Sequence, residues 1–336
     1  MKILFSSYLF HPSVGGIESV SKILAKKFAT AGNEVHVVTQ TPGDATAGGN
    51  YRVTRRPSIF EIIGLLRWCD LFFQNNISLR SLIPALLLRK RVLVVHQTWL
   101  QDTRGGIGWN NRIKHALLRF ITNVAISKAV ADGINGHSFV IGNPYDDATF
   151  RLIPNVARDK NVVFIGRLVS DKGADLLLQA LKLLQNDGVT LDLTIVGGGP
   201  EEEKLRKLTT DLALDRQVTF AGQKSGAALA ELLNRHRILV VPSRWAEPFG
   251  IVALEGIACG CVVVGSEDGG LKEAIGRCGV TFENGNVRAL AEQLKRLLNE
   301  PETQANLHQH AAEHLAKFQS DTVAAAYLRL IRKMVA

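Results

Sequence analysis

The stretch R-W-A-E-P-F-G-I-V-A-L-E-G-I-A-C-G at residues 244–260 places two carboxylates, Glu247 and Glu255, near the start of a predicted helix. It follows an apolar run typical of a buried strand, and Pro248 stands where a first helical turn begins. From Gly250 onward the backbone N–H groups have no helical partner, and the helix dipole adds positive character there. Such a helix start attracts a phosphate, while Glu255 would reach a neutral polyol beside it. A sugar nucleotide offers both groups. The alternative, a solvated helix start, stays open.

The second half of the chain alternates strands and helices regularly around this stretch. Its predicted strands are residues 162–165, 192–196, 217–220, 238–241 and 261–264, and its helices begin near residues 174, 201, 226, 250 and 270. The fifth strand is expected to be the last regular one. This alternation predicts a doubly wound parallel sheet with helices on both faces.

Two cations follow the first of these strands. Arg167 comes directly after Gly166, and Lys172 stands a few residues later. Arginine binds phosphate oxygens as a fork and lysine as a point charge, so the pair suits a diphosphate. At the end of the next strand, Gly198 would let the backbone approach a base or a ribose, although a simple turn explains this glycine equally well.

The first half begins with a parallel βαβ unit. A strand at residues 2–6 leads through a glycine pair into a helix and a second strand, and Gly16 is placed to bring a backbone N–H near a phosphate. A plain tight turn is the alternative reading of the glycines. His96 follows a strand at residues 92–95, at the edge of a sheet where ligands bind in such folds. It is a site candidate, with a structural hydrogen-bonding histidine as the alternative.

Composition bounds the class of protein. With 336 residues and 46% hydrophobic content, the chain can bury two ordinary cores, which we place at residues 1–156 and 157–317. The four cysteines, Cys69, Cys259, Cys261 and Cys278, form no C-x-x-C pair, so we expect buried reduced thiols in a cytoplasmic protein. No segment is long and apolar enough to predict a membrane span.

The net charge of +9 lies entirely in the first half. Residues 1–156 contain 18 Lys and Arg against 9 Asp and Glu, whereas the remainder contains 22 of each. A basic first domain suggests an anionic partner, and residues 112–121 predict a basic amphipathic helix that could lie on an anionic membrane. An ordinary helix with a solvated basic face is the alternative. Nucleic acid is disfavoured because no aromatic-interleaved basic motif is present.

Three motifs together resemble one family. They are G-R-L-x-x-x-K-G at residues 166–173, E-P-F-G-x-x-x-x-E-G at residues 247–256, and G-G-x-x-E at residues 269–273. The chain is similar to the retaining glycosyltransferases of the GT-B fold that carry the E-x7-E motif (glycosyltransferase group 1, family 4-like). This resemblance implies two Rossmann-like domains facing a cleft, with a last helix, residues 318–336, crossing back to the first domain.

The resemblance also implies the donor site. Arg167 and Lys172 would hold the donor diphosphate, Glu255 the ribose hydroxyls and Glu247 the sugar. Further contacts are implied for His96 with the sugar hydroxyls, Gly16 with the phosphate, Phe249, Gly250 and Ile251 through their backbone, and Gly222 and Gln223 near the base. Arg167, Lys172, Glu247 and His96 are the candidate catalytic residues.

The expected reaction is retaining and needs no metal or other cofactor. The sequence has no D-x-D to hold a metal and no obvious nucleophilic carboxylate in the first half, which favours front-face attack through an oxocarbenium-like state. The expected donor is a UDP-, GDP- or ADP-sugar. The expected acceptor is a lipid-linked or saccharide precursor of the cell envelope, reached at the inner face of the plasma membrane through residues 112–121 or residues 59–73. A sugar-nucleotide 2-epimerase-like isomerase and a non-catalytic sugar-nucleotide binding protein remain as alternatives.

Overall fold

A computed structural model describes residues 1–13, 15–43, 50–100, 109–134 and 136–335. The chain forms two compact units. Unit 1 consists of Met1–Tyr145 together with Phe318–Ala336, and unit 2 consists of Asp146–Lys317. The division therefore falls after Tyr145, before the boundary at residue 156 that we expected from the sequence.

The strands and helices alternate along most of the chain. The strands are β1 (Lys2–Ser7), β2 (Glu34–Thr39), β3 (Arg52–Arg55), β4 (Leu71–Asn75), β5 (Arg91–His96), β6 (Thr122–Ala125), β7 (Ser138–Val140), β8 (Lys160–Ile165), β9 (Leu193–Val196), β10 (Val218–Phe220), β11 (His236–Val241), β12 (Val262–Ser266) and β13 (Gly279–Phe282). The helices are α1 (Gly16–Thr30), α2 (Ile59–Trp68), α3 (Leu79–Leu87), α4 (Trp109–Leu117), α5 (Lys128–Asp132), α6 (Ala174–Asn186), α7 (Glu202–Asp211), α8 (Gly226–Arg235), α9 (Ile251–Ala258), α10 (Leu271–Ile275), α11 (Val287–Asn299), α12 (Pro301–His308), α13 (Ala311–Ala316) and α14 (Ser320–Val335). Short 3-10 turns cover Leu118–Phe120 and Ser170–Lys172.

Unit 1 is built on a parallel sheet in the order β3-β2-β1-β4-β5-β6-β7. The strand order reverses direction between β1 and β4, where Ser7 pairs with Asn75 at the carboxyl ends of the two strands. In an open parallel sheet, this reversal opens a crevice at the carboxyl edge.

Helix α14 completes the core of unit 1, which confirms that the last helix returns to the first domain. Its Tyr327 is fully buried and packs edge-on against Phe28 of α1 and Phe73 of β4, with ring centroids 6.4 and 5.5 Å away. Lys27 forms an ion pair with Asp321 at 2.6 Å, close to the start of α14. The aromatic contacts join the end of the chain to its first βαβ unit.

Unit 2 is built on a parallel sheet in the order β10-β9-β8-β11-β12-β13. Its direction reverses between β8 and β11, where Val240 pairs with Phe164. Apolar side chains of α6 and α11 cover one face of this sheet, including the fully buried Leu177 and Leu294. The two doubly wound parallel sheets confirm the predicted fold class.

Two elements differ from the sequence-based expectations. A further strand, β13, follows β12, so residues 261–264 are not the last strand of unit 2. Its apolar pattern is short, and it begins at Gly279, where an added Cβ would lie 2.1 Å from the Val263 carbonyl oxygen. The helix expected at residues 112–121 ends at Leu117, because the chain there tightens into a 3-10 turn. None of the described helices is both long and apolar enough to cross a membrane.

Candidate active site

The predicted donor residues of unit 2 gather at the carboxyl edge of its sheet, beside the β8–β11 reversal. The loop after β8 carries Arg167 and Lys172, and the loop after β11 carries Glu247 and leads into α9. Because both strands are parallel, their following loops emerge at the same edge.

Lys172 and Glu247 form an ion pair in this structure. Glu247 is only 9% exposed, and its Oε1 also accepts a hydrogen bond from the Ser243 hydroxyl at 2.6 Å. Gly173 makes this approach feasible, because its φ of +69° is left-handed and an added Cβ would lie 2.0 Å from the Pro242 carbonyl oxygen. The loop after β8 therefore packs directly against the end of β11.

Arg244 holds the same two loops together. Its guanidinium donates two hydrogen bonds to the Asp175 carboxylate at 2.6 Å each and one to the Ser170 carbonyl oxygen at 3.0 Å. Its backbone N–H donates to the Asp171 carbonyl oxygen at 2.8 Å. Burial alone raises the pKa of Asp175, but the bonds from Arg244 outweigh it and lower that pKa below its usual value. Arg244 thus fixes the 3-10 turn that ends in Lys172.

Glu255 lies in the second turn of α9 with a strongly perturbed carboxyl group. Burial raises its pKa from 4.5 to about 7, and the negative charge of Asp146 adds to this shift. A carboxyl group that titrates near neutrality in a crevice is typical of functional sites.

The start of α9 has the geometry expected of an anion site. Gly250 caps the helix with a φ of +98°, and no side chain caps it among the described residues. Ile251 is the first helical residue, whereas the Phe249 side chain is 3% exposed and belongs to the core. Arg167 is exposed, and its side chain has no partner in the part of the chain that the structure describes. A diphosphate at this edge would meet N–H donors and an available guanidinium.

The glycines predicted near the nucleotide also come together at this edge. The Gly166 N–H donates to the Val196 carbonyl oxygen, while the Leu168 N–H donates to that of Gly198 at 3.0 Å. Gly222 accepts a bond from the Gly197 N–H, and an added Cβ at Gly198 would lie 2.9 Å from Gln223 Nε2. The ends of β8, β9 and β10 therefore form one continuous backbone surface.

Gly16 and His96 lie in unit 1. Gly16 is the first residue of α1, at a helix start without a side-chain cap, as the sequence predicts. His96 ends β5, but its ring is fully buried and its Nε2 donates to Asn123 Oδ1 at 3.0 Å. Burial lowers the pKa of His96, because it disfavours the charged form of the ring. In this position His96 exposes no surface to a sugar, which favours the structural alternative.

Sequence reasoning missed a buried polar network at the carboxyl edge of unit 1. Gln97 Nε2 donates to Asn75 Oδ1 at 2.9 Å and to Asn143 Oδ1 at 3.1 Å, and Asn75 Nδ2 donates to Ser21 Oγ at 2.7 Å. These amides hold the strand ends together beside a cavity of about 680 Å³. The signal available in the sequence was amide residues directly after two apolar strands.

Metal chemistry has no evident site in the described part of the chain. There, no group of three or more His, Cys, Asp or Glu side chains is arranged to hold a metal ion.

Comparison with known proteins places this geometry among glycosyltransferases. Residues 148–314 match the family described as glycosyl transferases group 1. An uncharacterized glycosyltransferase of Methanocaldococcus jannaschii is 24% identical over 95% of this chain and 94% of its own length. A D-inositol 3-phosphate glycosyltransferase of Corynebacterium jeikeium is 31% identical, but the match spans 53% of this chain and only 44% of that protein.

Solved structures agree on the fold. HepE of Anabaena, in complex with UDP and glucose, superposes with a TM-score of 0.83 at 20% identity, covering 99% of this chain and 100% of that one. The sucrose-phosphate synthase of Thermosynechococcus elongatus has a TM-score of 0.83 at 21% identity, covering 99% and 98%. Residues 148–314 therefore match the glycosyl transferases group 1 family, and the chain as a whole has the GT-B fold.

Proposed function

We propose that the protein is a retaining glycosyltransferase that moves a sugar from a nucleoside-diphosphate sugar to an acceptor hydroxyl of a lipid-linked or polysaccharide precursor of the cell envelope. The observation that carries this proposal is the cluster at the carboxyl edge of unit 2. It combines an available cation, Arg167, an ion pair, Lys172–Glu247, and a half-buried carboxyl group with a raised pKa, Glu255, with the uncapped start of α9.

Each group of the donor has a matching partner in this cluster. The diphosphate accepts hydrogen bonds from Arg167, Lys172 and the N–H groups at the start of α9. When Lys172 turns to the phosphate, Glu247 is released to bind the sugar hydroxyls. Glu255 accepts hydrogen bonds from the ribose hydroxyls. The nucleotide of the donor is UDP, GDP or ADP, and its base lies against the backbone near Gly222.

The transfer proceeds on one face of the sugar. The bond between the anomeric carbon and the phosphate oxygen breaks, the acceptor oxygen bonds to the same face of that carbon, and the acceptor proton passes to the departing phosphate. Arg167 and Lys172 stabilise the negative charge that develops on the leaving diphosphate, which is where electrostatic catalysis has most effect. The anomeric configuration is retained, and no metal takes part.

A panel of UDP-, GDP- and ADP-sugars, incubated with the protein with and without a lipid extract, tests this function. A transferase releases nucleoside diphosphate and forms a glycoside, an isomerase forms an epimer, and a binding protein forms neither. NMR of the anomeric proton in the product reports retention or inversion.

Lys172→Ala should lower turnover about 10²- to 10³-fold, as removal of other electrostatic stabilisers does. Lys207→Ala, at an exposed position on α7, is the matched control and should leave turnover unchanged. Near wild-type turnover in Lys172→Ala contradicts the assigned role.

A further inference from the structure

Helices α2 and α3 of unit 1 run side by side in the same direction. At the N-terminal ends of the two helices, Arg80 Nη2 donates to the Pro57 carbonyl oxygen at 2.8 Å. At the C-terminal ends of the two helices, Lys90 Nζ donates to the Cys69 carbonyl oxygen at 2.8 Å and to the Arg67 carbonyl oxygen at 3.3 Å. A cation therefore joins the two helices at each end of the pair.

The outward face of this pair is apolar. Phe60 is 81% exposed, Leu87 79%, Ile83 43% and Ile59 38%. We call these four residues the helix-pair surface. The same helices bury Ile62, Leu66, Leu82 and Ala85 in the core, so each helix also has a buried face. Large apolar side chains exposed together on a folded domain mark an interaction surface.

The charge around the helix-pair surface is strongly positive. Residues 51–91 contain eight Lys and Arg against two Asp and Glu. The cations exposed along this segment are Arg52, Arg56, Arg67, Arg80, Arg89 and Arg91. Apolar side chains surrounded by arginines complement a membrane surface with anionic head groups. The apolar side chains insert among the lipids, and the arginines bind the phosphates of the head groups.

The other basic segment considered from the sequence, residues 112–121, is a poorer match. Of its large apolar side chains, Phe120 is the one that is strongly exposed, at 61%. The carbon of the Arg119 guanidinium lies 4.9 Å from the centroid of this ring, so the ring already has a cation–π partner.

The cavity of unit 1 opens beside the first ends of α2 and α3. Its lining includes Pro57 and Ile62, which flank Ile59 and Phe60 in the chain, and also Leu79 and Arg80 at the start of α3. A molecule anchored in the membrane by an apolar tail would therefore present its polar head to this cavity. Arg80 offers that head a cation.

We propose that the helix-pair surface binds an anionic lipid membrane and that the acceptor is consequently an amphiphile drawn from it. The second part of this proposal rests on the proposed transferase function, whereas membrane binding does not.

Co-sedimentation of the full-length protein with vesicles tests the surface. Vesicles of neutral phospholipid alone are compared with vesicles containing about one third anionic phospholipid. Binding to the anionic vesicles should weaken at least tenfold in the double variant Phe60→Asn/Leu87→Asn, because two apolar side chains no longer insert. It should weaken about fivefold for each of Arg67→Gln and Arg89→Gln, and also with added salt.

Phe120→Asn is the matched control, since it removes an exposed phenylalanine from the competing segment. Unchanged binding in Phe60→Asn/Leu87→Asn, or its loss in Phe120→Asn instead, overturns the proposal, as does a protein that binds neither vesicle. Circular dichroism confirms that each variant is folded.

Lys172→Ala separates this proposal from the transferase function. It should bind anionic vesicles as tightly as the wild type, so a failed transfer assay leaves the membrane result standing. Conversely, transfer to a soluble acceptor without vesicle binding supports the function and refutes the surface.

Discussion

Replacing Glu255 with glutamine should make unit 2 more stable near neutral pH while it weakens donor binding. The carboxyl group titrates near pH 7 in the folded protein because burial and Asp146 disfavour its charge. In the unfolded chain it titrates near 4.5. The folded protein therefore retains a proton that the unfolded chain has lost between these two values.

The sign and size of the effect follow from this difference. Stability falls with rising pH wherever the folded state binds more protons, so the wild type loses stability between pH 4.5 and about 7. At about 1.4 kcal/mol for each pKa unit, the loss above pH 7 amounts to at most about 3 kcal/mol. Glutamine keeps the shape and removes the charge. Below pH 4.5 the variant and the wild type should be nearly equal in stability.

Hydrogen exchange of the α9 amides at pH 5 to 8 measures this local stability without requiring both units to unfold together. Glu292→Gln, which alters an exposed carboxyl group on α11, serves as the control. A ¹³C titration of the Glu255 carboxyl group gives its pKa directly, and Asp146→Asn should lower it. Titration of Glu255 below pH 5, or a Glu255→Gln variant no more stable than wild type at pH 8, refutes the reasoning.

Three further predictions each concern the surroundings of a single residue. Arg244→Lys keeps the charge but loses the fork to Asp175, so turnover should fall roughly 10- to 100-fold in steady-state assays while thermal unfolding shifts little; equal turnover would count against a positioning role. Tyr327→Phe removes a hydroxyl that is buried without a partner among the described residues, and urea unfolding should show a gain of about 1 kcal/mol. Gly64→Ala, in open space on α2, should add roughly 0.5–1 kcal/mol in the same assay, and a loss would show that its Cβ is not tolerated there.

The sheets could be predicted from the sequence because their strands are short apolar runs separated by glycines and polar turns. The run at residues 238–241 falls within β11, and each of the other predicted runs of unit 2 overlaps an observed strand. Two strands with weaker hydrophobic patterns were not predicted. In β3 two of the four residues are arginine, and β13 begins with glycine. Edge strands of this kind depend on pairing with a neighbour rather than on their own hydrophobicity.

The candidate site was predicted as a set of residues but not as a set of partners. Lys172 and Glu247 were assigned separately to phosphate and sugar, and their mutual ion pair follows from the approach of two loops at Gly173. The pairing of Arg244 with Asp175 could not be predicted either, since it joins the loop after β11 to the first turn of α6. For His96, the sequence predicted the position at the end of a strand. It could not predict the direction of the ring, which depends on a hydrogen bond to Asn123 of the neighbouring strand.

The return of α14 to unit 1 has a consequence for how the protein is made. On the ribosome, the sheet of unit 1 emerges before unit 2, but the ring that fills the space beside Phe28 and Phe73 belongs to Tyr327, which is synthesised after all of unit 2. All of unit 2 must leave the ribosome before that gap closes. Until then the nascent first unit exposes apolar surface, and its folding depends on chaperones or on fast folding of the second unit. The core of unit 1 is complete only when α14 packs against α1 and β4.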